Sequence, residues 1–225
     1  SRLQRQMCIR DRSEAANGCK FVNYWLHNGF INIDNKKMSK SLGNFFTVRE
    51  AAAAYGYDCI RMFMLMSHYR SPLVFGEQRV AEADAALTRI ENAVKALDWL
   101  LETGTPRGEA ALEPETPAAA LAATLDAAAL TDRVAVLRAG FTEAMDDDFN
   151  APAALGEIFS FVSDANALVA DAKTLAAEEA AAVREARDAI VELMDVLGID
   201  VTAAEAGEAY PVAVSYTHLT LPTTS

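Results

Sequence analysis

The sequence predicts a mainly α-helical protein, with a short α/β leading segment followed by an antiparallel helical bundle. Three observations carry that expectation. Four sets of apolar residues recur at alternating steps of three and four: Val80, Ala83, Leu87, Ile90, Val94, Leu97 and Leu101; Val134, Leu137, Phe141 and Ala144; Leu155, Ile158, Val162, Ala165 and Val169; Val183, Ala186, Ile190, Leu193 and Leu197. Each set draws one apolar stripe along a helix, and four striped helices need a shared core. Next, 44 of the 225 residues are alanine while 52% are hydrophobic. Large apolar side chains therefore make up only roughly a third of the chain, which suits the close-packed interior of a bundle better than a sandwich. Finally, residues 13–46 lack the helical period and carry turn formers instead.

Taken in order, "SRLQRQMCIRDR" at 1–12 is basic and patternless, and "VSYTHLTLPTTS" at 214–225 has no helical period. Both are set aside as non-native sequence. "FVNYWLHNGFINIDNKK" alternates bulky and polar residues and reads as a short strand or hairpin. "TVRE" at 47–50 is a capping-box pattern that starts a helix through "AAAAY", with Gly56 as its stop. Asp58 is expected to cap the next helix, "CIRMFMLMSHY", whose apolar residues surround most of the segment and predict burial between layers. Pro72 ends it. Sustained helix begins near 76, and "TGTPRGEAALEPETP" at 103–117 reads as a mobile loop. Asp146, Asp147 and Asp148 are adjacent carboxylates that cannot easily converge on one ion, so they read as helix punctuation. Asn150, with Pro152 behind it, starts the following helix. The expected units are 13–75 and 76–200, with 201–213 as linker.

Charge is unevenly placed. Residues 1–75 hold 11 Lys and Arg against 5 Asp and Glu, and residues 76–225 hold 9 against 27, which gives the whole chain its −12. The front half is suited to meet an anion, while the back half is a solvated acidic body. Cys8, Cys19 and Cys59 are odd in number and lack framework spacing, which fits a reducing cytosol. No run of about 18 apolar residues occurs, so no membrane span is expected. The expected location is cytoplasmic.

The densest cationic cluster is "NKKMSKSLGNFF" at 35–46. Lys37 and Lys40 stand three positions apart, and Lys40 is flanked by Ser39 and Ser41. Two ammonium groups about 4 Å apart repel by roughly 1 kcal/mol in water, and more where water is excluded. Gathering them is favourable when an anion such as a phosphate chain comes between them. Ser39, Ser41 and Gly43 add donors and a backbone that can approach closely.

"KMSKS" at Lys37–Ser41 resembles the signature loop of class I aminoacyl-tRNA synthetases. "YWLHNGFINIDNKKMSKSLGNFFTVRE", "RMFMLMSHYRSPLVF" and "EAMDDDFNAPAALGEIF" resemble, in order, segments of the cysteinyl-tRNA synthetases. The resemblance covers 13 to about 200. It implies a fragment of a cysteine–tRNA ligase, which activates cysteine with ATP (and Mg) to cysteinyl-adenylate and passes it to tRNA(Cys). By that resemblance, Lys40 is the principal ATP contact and Lys37 its helper. Met38 anchors the loop by packing, Ser39 and Ser41 shape its turn, and the helices form an anticodon-binding-type domain.

The family's catalytic zinc ligands and its "HIGH" segment belong to stretches that do not match here, so no metal site is expected in this chain. Cys19 and His27 lie eight apart without a second pair and read as a surface cysteine and a packed histidine. A piece lacking those parts should not run the reaction alone, and an acidic bundle is a poor polyanion binder, so weak tRNA binding by this chain alone is expected. A monomer is the working expectation. Arg70 could contact tRNA backbone or pin the domain junction, the second being preferred. Trp25 and Trp99 read as packing residues. Two other readings stay open: a cysteine-adenylating ligase with a small amino-sugar acceptor, and a non-catalytic helical interaction module.

Overall fold

The computed structural model describes residues 2–33, 36–37, 47–103, 105–106, 125–170, 172 and 174–202. Helix dominates. Helix α1 spans Arg2–Asn17 and crosses the boundary that composition drew at residue 12. Leu, Gln, Arg, Met and Ala are good helix formers and need no apolar stripe to coil. Gly18, at φ 63°, closes α1 with its N–H on the Glu14 carbonyl at 2.8 Å, the left-handed stop that glycine favours.

The expected hairpin forms in miniature. Strand β1, Ile31–Ile33, pairs antiparallel with β2, Lys36–Lys37, so that Asn32 faces Lys37 and Ile33 faces Lys36. A third strand, β3 at Leu73–Phe75, lies parallel to β1 on its other side, with Ile31 opposite Leu73 and Ile33 opposite Phe75. β3 was not anticipated, since three residues are too few to show an alternating pattern.

Helix α2, Val48–Tyr55, begins on Thr47 as the capping box requires: the Glu50 N–H donates to Thr47 Oγ1 at 3.2 Å, and the Thr47 N–H donates to the Glu50 carboxylate at 2.6 Å. The Thr47 N–H, and after it the Thr47 hydroxyl at 2.9 Å, donate to the Glu50 carboxylate and hold it below its ordinary pKa. Gly56, at φ 81°, ends α2 and directly precedes α3, Tyr57–Leu65. Asp58 therefore does not cap α3; it sits within the first turn, where its charge still complements the helix dipole. Nor is α3 sandwiched. Cys59, Ile60, Met62 and Phe63 are buried, whereas Met64 is 43% exposed. The helix also stops at Leu65 rather than running on to Tyr69, because residues 68–71 turn, with the Ser71 N–H on the His68 carbonyl at 2.9 Å.

The remaining helices are α4 (Glu77–Thr103), α5 (Ala127–Asp146), α6 (Ala151–Val169) and α7 (Ala177–Val196). Their stripes are buried as the 3–4 spacing predicts, from Val80, Ile90 and Leu97 on α4 to Val183, Ala186 and Ile190 on α7. α5 packs on both α6 and α7, and α4 packs on α7 and α3. One continuous apolar core runs from Ala51 to Val201, so the leading segment and the four long helices share an interior. Charged pairs bridge the seams. Arg187 Nε meets Asp98 Oδ1 at 2.9 Å between α7 and α4, Arg133 pairs with Asp164 between α5 and α6, and Arg138 meets Glu192 at 2.7 Å between α5 and α7. The last pair holds the Glu192 carboxyl below the usual carboxylate range.

Asp126 and Asn150 cap α5 and α6 through side-chain oxygens that accept from Ala129 and Ala153. The stretch 103–117, read as a loop, lies outside the described residues apart from its first residue and Thr105–Pro106. That pair forms β4, parallel to β5 at Thr174–Leu175, a two-residue ladder with no sequence signal. Trp99 does not pack as expected; it is 63% exposed on α4.

Cys8 and Cys19 are exposed and Cys59 is buried. Desolvation, aided by the Asp84 carboxylate, pushes the Cys59 thiol up to about 12. Near pH 8 a disulfide reagent should therefore titrate two thiols within minutes and the third only in denaturant. Three fast equivalents would contradict the buried position.

Candidate functional site

Of the lysine loop, the described structure holds Lys37, the last residue of β2, paired with Asn32 of β1. Met38, Ser39, Lys40 and Ser41 lie outside the described residues. Both ends of the connection are placed: β2 leads into it, and the Thr47 cap of α2 receives it. The loop residues thus run from a sheet strand to a capped helix N-terminus.

Joined to that sheet's leading end by the Gly29 N–H to Tyr69 carbonyl bond is a polar junction that sequence reasoning did not assemble. His68, Tyr69 and Arg70 follow α3, and Asp148 belongs to the turn between α5 and α6. The Tyr69 hydroxyl donates to Asp148 Oδ1 at 2.8 Å. Arg70 donates from Nε to the Tyr69 oxygen at 2.8 Å and from its terminal nitrogen to Asp148 Oδ1 at 2.9 Å, while its Nε stands 2.8 Å from Asp148 Oδ2. The Arg70 guanidinium is raised above its ordinary pKa, first by the bond to Tyr69 and then by the Asp148 charge. This geometry gives Arg70 the pinning role preferred above. Asp146 and Asp147 end α5 as read, but Asp148 also serves as acceptor for a segment 78 residues away. The signals were present separately, in "SHYR" and "MDDDF"; nothing local said that they meet.

The junction borders a groove of about 510 Å³ lined by Leu26, Met64, Leu65, Met145, Phe149 and Val196, among others. Among the described residues, no group of three or more His, Cys, Asp or Glu is placed to hold a metal ion. Cys19 and His27 are both exposed, and His27 stacks on Trp25 with ring centroids 6.3 Å apart.

The family model for the class I (C) tRNA synthetase catalytic domain matches residues 9–85, and the DALR domain model matches residues 140–202. A catalytic segment of the class I aminoacyl-tRNA synthetases thus leads into a DALR helical domain. The Cysteine–tRNA ligase of Trichlorobacter lovleyi is 44% identical over 188 residues, covering 84% of this chain and 36% of that protein. That of Pelobacter propionicus is 42% identical over 189 residues, covering 84% and 37%. The chain belongs to the cysteine–tRNA ligase family, and it spans about 36% of the length of the curated relatives it matches. Among solved structures, the Agrobacterium radiobacter K84 agnB2 LeuRS–tRNA–LeuAMS complex shares the fold. Its TM-score is 0.52 at 17% identity, over 77% of this chain and 22% of that one.

Proposed function

We propose that this chain supplies the ATP loop and the tRNA-facing helices of a cysteine–tRNA ligase. The reaction is ATP-dependent activation of cysteine to cysteinyl-adenylate, followed by transfer to tRNA(Cys). The observation that carries the reading is the position of "KMSKS", residues 37–41, inside the span that resembles the class I catalytic domain and just ahead of the capped helix α2. In the first step the cysteine carboxylate attacks the α-phosphorus and pyrophosphate leaves. Negative charge grows on the phosphates as the bond breaks, so lysines delivered there stabilise the transition state more than the ground state. Lys40 is the principal contact to ATP and Lys37 assists, with Met38, Ser39 and Ser41 shaping the loop. ATP enters with Mg. Residues 13–75 are the catalytic portion and 76–200 an antiparallel, anticodon-binding-type bundle. The DALR match favours tRNA over a small amino-sugar as acceptor. The enzyme is read as cytoplasmic and monomeric; separately, no helix among the described residues is long and apolar enough to cross a membrane.

The test grafts residues 13–200 in place of the matching segment of the Trichlorobacter lovleyi protein. Cysteine-dependent ATP–pyrophosphate exchange should persist in the graft. Lys40→Ala should slow it about a hundredfold, roughly 3 kcal/mol of lost transition-state stabilisation, with cysteine affinity nearly unchanged. Exchange at an undiminished rate would remove Lys40 from the mechanism.

A further inference from the structure

Asp148 and Phe149 both have positive φ, 57° and 55°. Side-chain-bearing residues seldom adopt that conformation, and two in succession persist only where the surroundings hold them. Asp is among the residues that tolerate it best, while a bulky Phe is not. The surroundings here are chemical. An exposed ion pair alone holds little, but in this junction the Arg70 guanidinium and the Asp148 carboxylate share a part-buried phenol, Tyr69, as donor to one and acceptor from the other. His68 Nε2 stands 3.8 Å from the same carboxylate.

The contact continues into the sheet through main-chain bonds. The Tyr69 carbonyl accepts the Gly29 N–H at 2.6 Å, and the Phe30 carbonyl accepts the Leu73 N–H at 2.8 Å. Those bonds lie at the leading end of the β1–β3 pairing, and β1 in turn pairs with β2, where Asn32 faces Lys37. A carboxylate on the helical side is therefore three hydrogen-bonded links from the strand that enters the lysine loop.

We propose that Asp148 is a positioning residue: from the turn between α5 and α6 its carboxylate seats residues 68–71, and through them it holds β1 and the lysine-bearing β2 in register. The relevance of this to catalysis rests on the reading of Lys37 as an ATP residue. The structural link does not, and the experiment measures only the link.

The experiment is site-resolved amide exchange on the whole 225-residue chain without substrate. Asp148→Gly keeps a residue at ease with positive φ but removes the acceptor. Asp148→Asn keeps both the conformation and an acceptor oxygen. Hydrogen bonds to a charged group set the scale, so Asp148→Gly should speed exchange at Gly29 and Leu73 about tenfold or more. Helix amides at Ile158, Val162 and Ile190 should stay near their original rates, and Asp148→Asn should restore most of the protection. Should Asp148→Gly fail to fold, Tyr69→Phe, which deletes one hydroxyl, should speed the same two amides by a smaller factor. Unchanged rates at Gly29 and Leu73 in Asp148→Gly, or in Tyr69→Phe where that is the variant measured, would overturn the proposal. So would equal acceleration of the helix amides, which would mark Asp148 as a contributor to global stability only.

Discussion

Gly29→Ala will unseat the leading segment, at a cost of about 3 kcal/mol or more. A Cβ at this position would lie 2.0 Å from the Ser71 carbonyl oxygen, 2.4 Å from its carbon and 2.9 Å from the Pro72 nitrogen. All three are backbone atoms, so no side chain can swing away and the two chain segments must part. Parting them breaks the Gly29–Tyr69 and Leu73–Phe30 bonds and with them the parallel register of β1 and β3. Overpacking alone costs about 1–3 kcal/mol, and each hydrogen bond lost at such a site adds about 1 kcal/mol. Urea denaturation followed by circular dichroism checks the magnitude. Gly156→Ala is the control: nothing lies within 4 Å of its added Cβ in the middle of α6, so the change should be neutral or stabilise by up to about 1 kcal/mol. A Gly29→Ala protein as stable as the parent would mean that the two backbones do not approach as closely as described.

Ile190→Ala in the centre of α7 should cost about 4 kcal/mol, toward the upper end of the range for emptying a core site. Ile190 has no exposed surface, and it belongs to the core cluster with Val183, Ala186, Ala189 and Leu193 of its own helix. The cost of a cavity depends on whether neighbours can move in to fill it. Alanine neighbours have no rotamers with which to do so, and most of the void would remain. Val136, 54% exposed on α5, provides the contrast: its change to Ala should stay within about 0.5 kcal/mol. A loss below 1 kcal/mol at Ile190 would show that the helices close over the gap.

The long helices were legible because each repeats one signal many times. A stripe such as Val80 to Leu97 offers six chances to read the same period, and packing then buries it. The caps at Thr47 and Asn150 were legible for a local reason, since the residues that make the hydrogen bonds are within three positions of each other. The misses were short or distant. β3, β4 and β5 hold three residues or fewer. Asp58 looks like a cap until Gly56 is seen to take the turn at positive φ. The loop lysines were found by charge density and motif, whereas the Asp148 acceptor was read only as the end of a helix. Its partners lie 78 and 79 positions back, a distance over which a single sequence says nothing about contact. Trp99 is the opposite case: an aromatic residue expected to pack stands on the surface of α4.

Ala83, Ala154, Ala186 and Ala189 have no exposed surface at all. Methyl groups at the helix seams leave no slack, because they set the separation between backbones without any torsion that could adjust it. Enlarging one of them would have to push an entire helix outward, whereas a leucine elsewhere can trim or swivel. The interior therefore resists growth more than it resists loss of shape, and sequence drift in this domain should be confined to its outward faces, with the alanine contacts acting as fixed gauges of helix spacing.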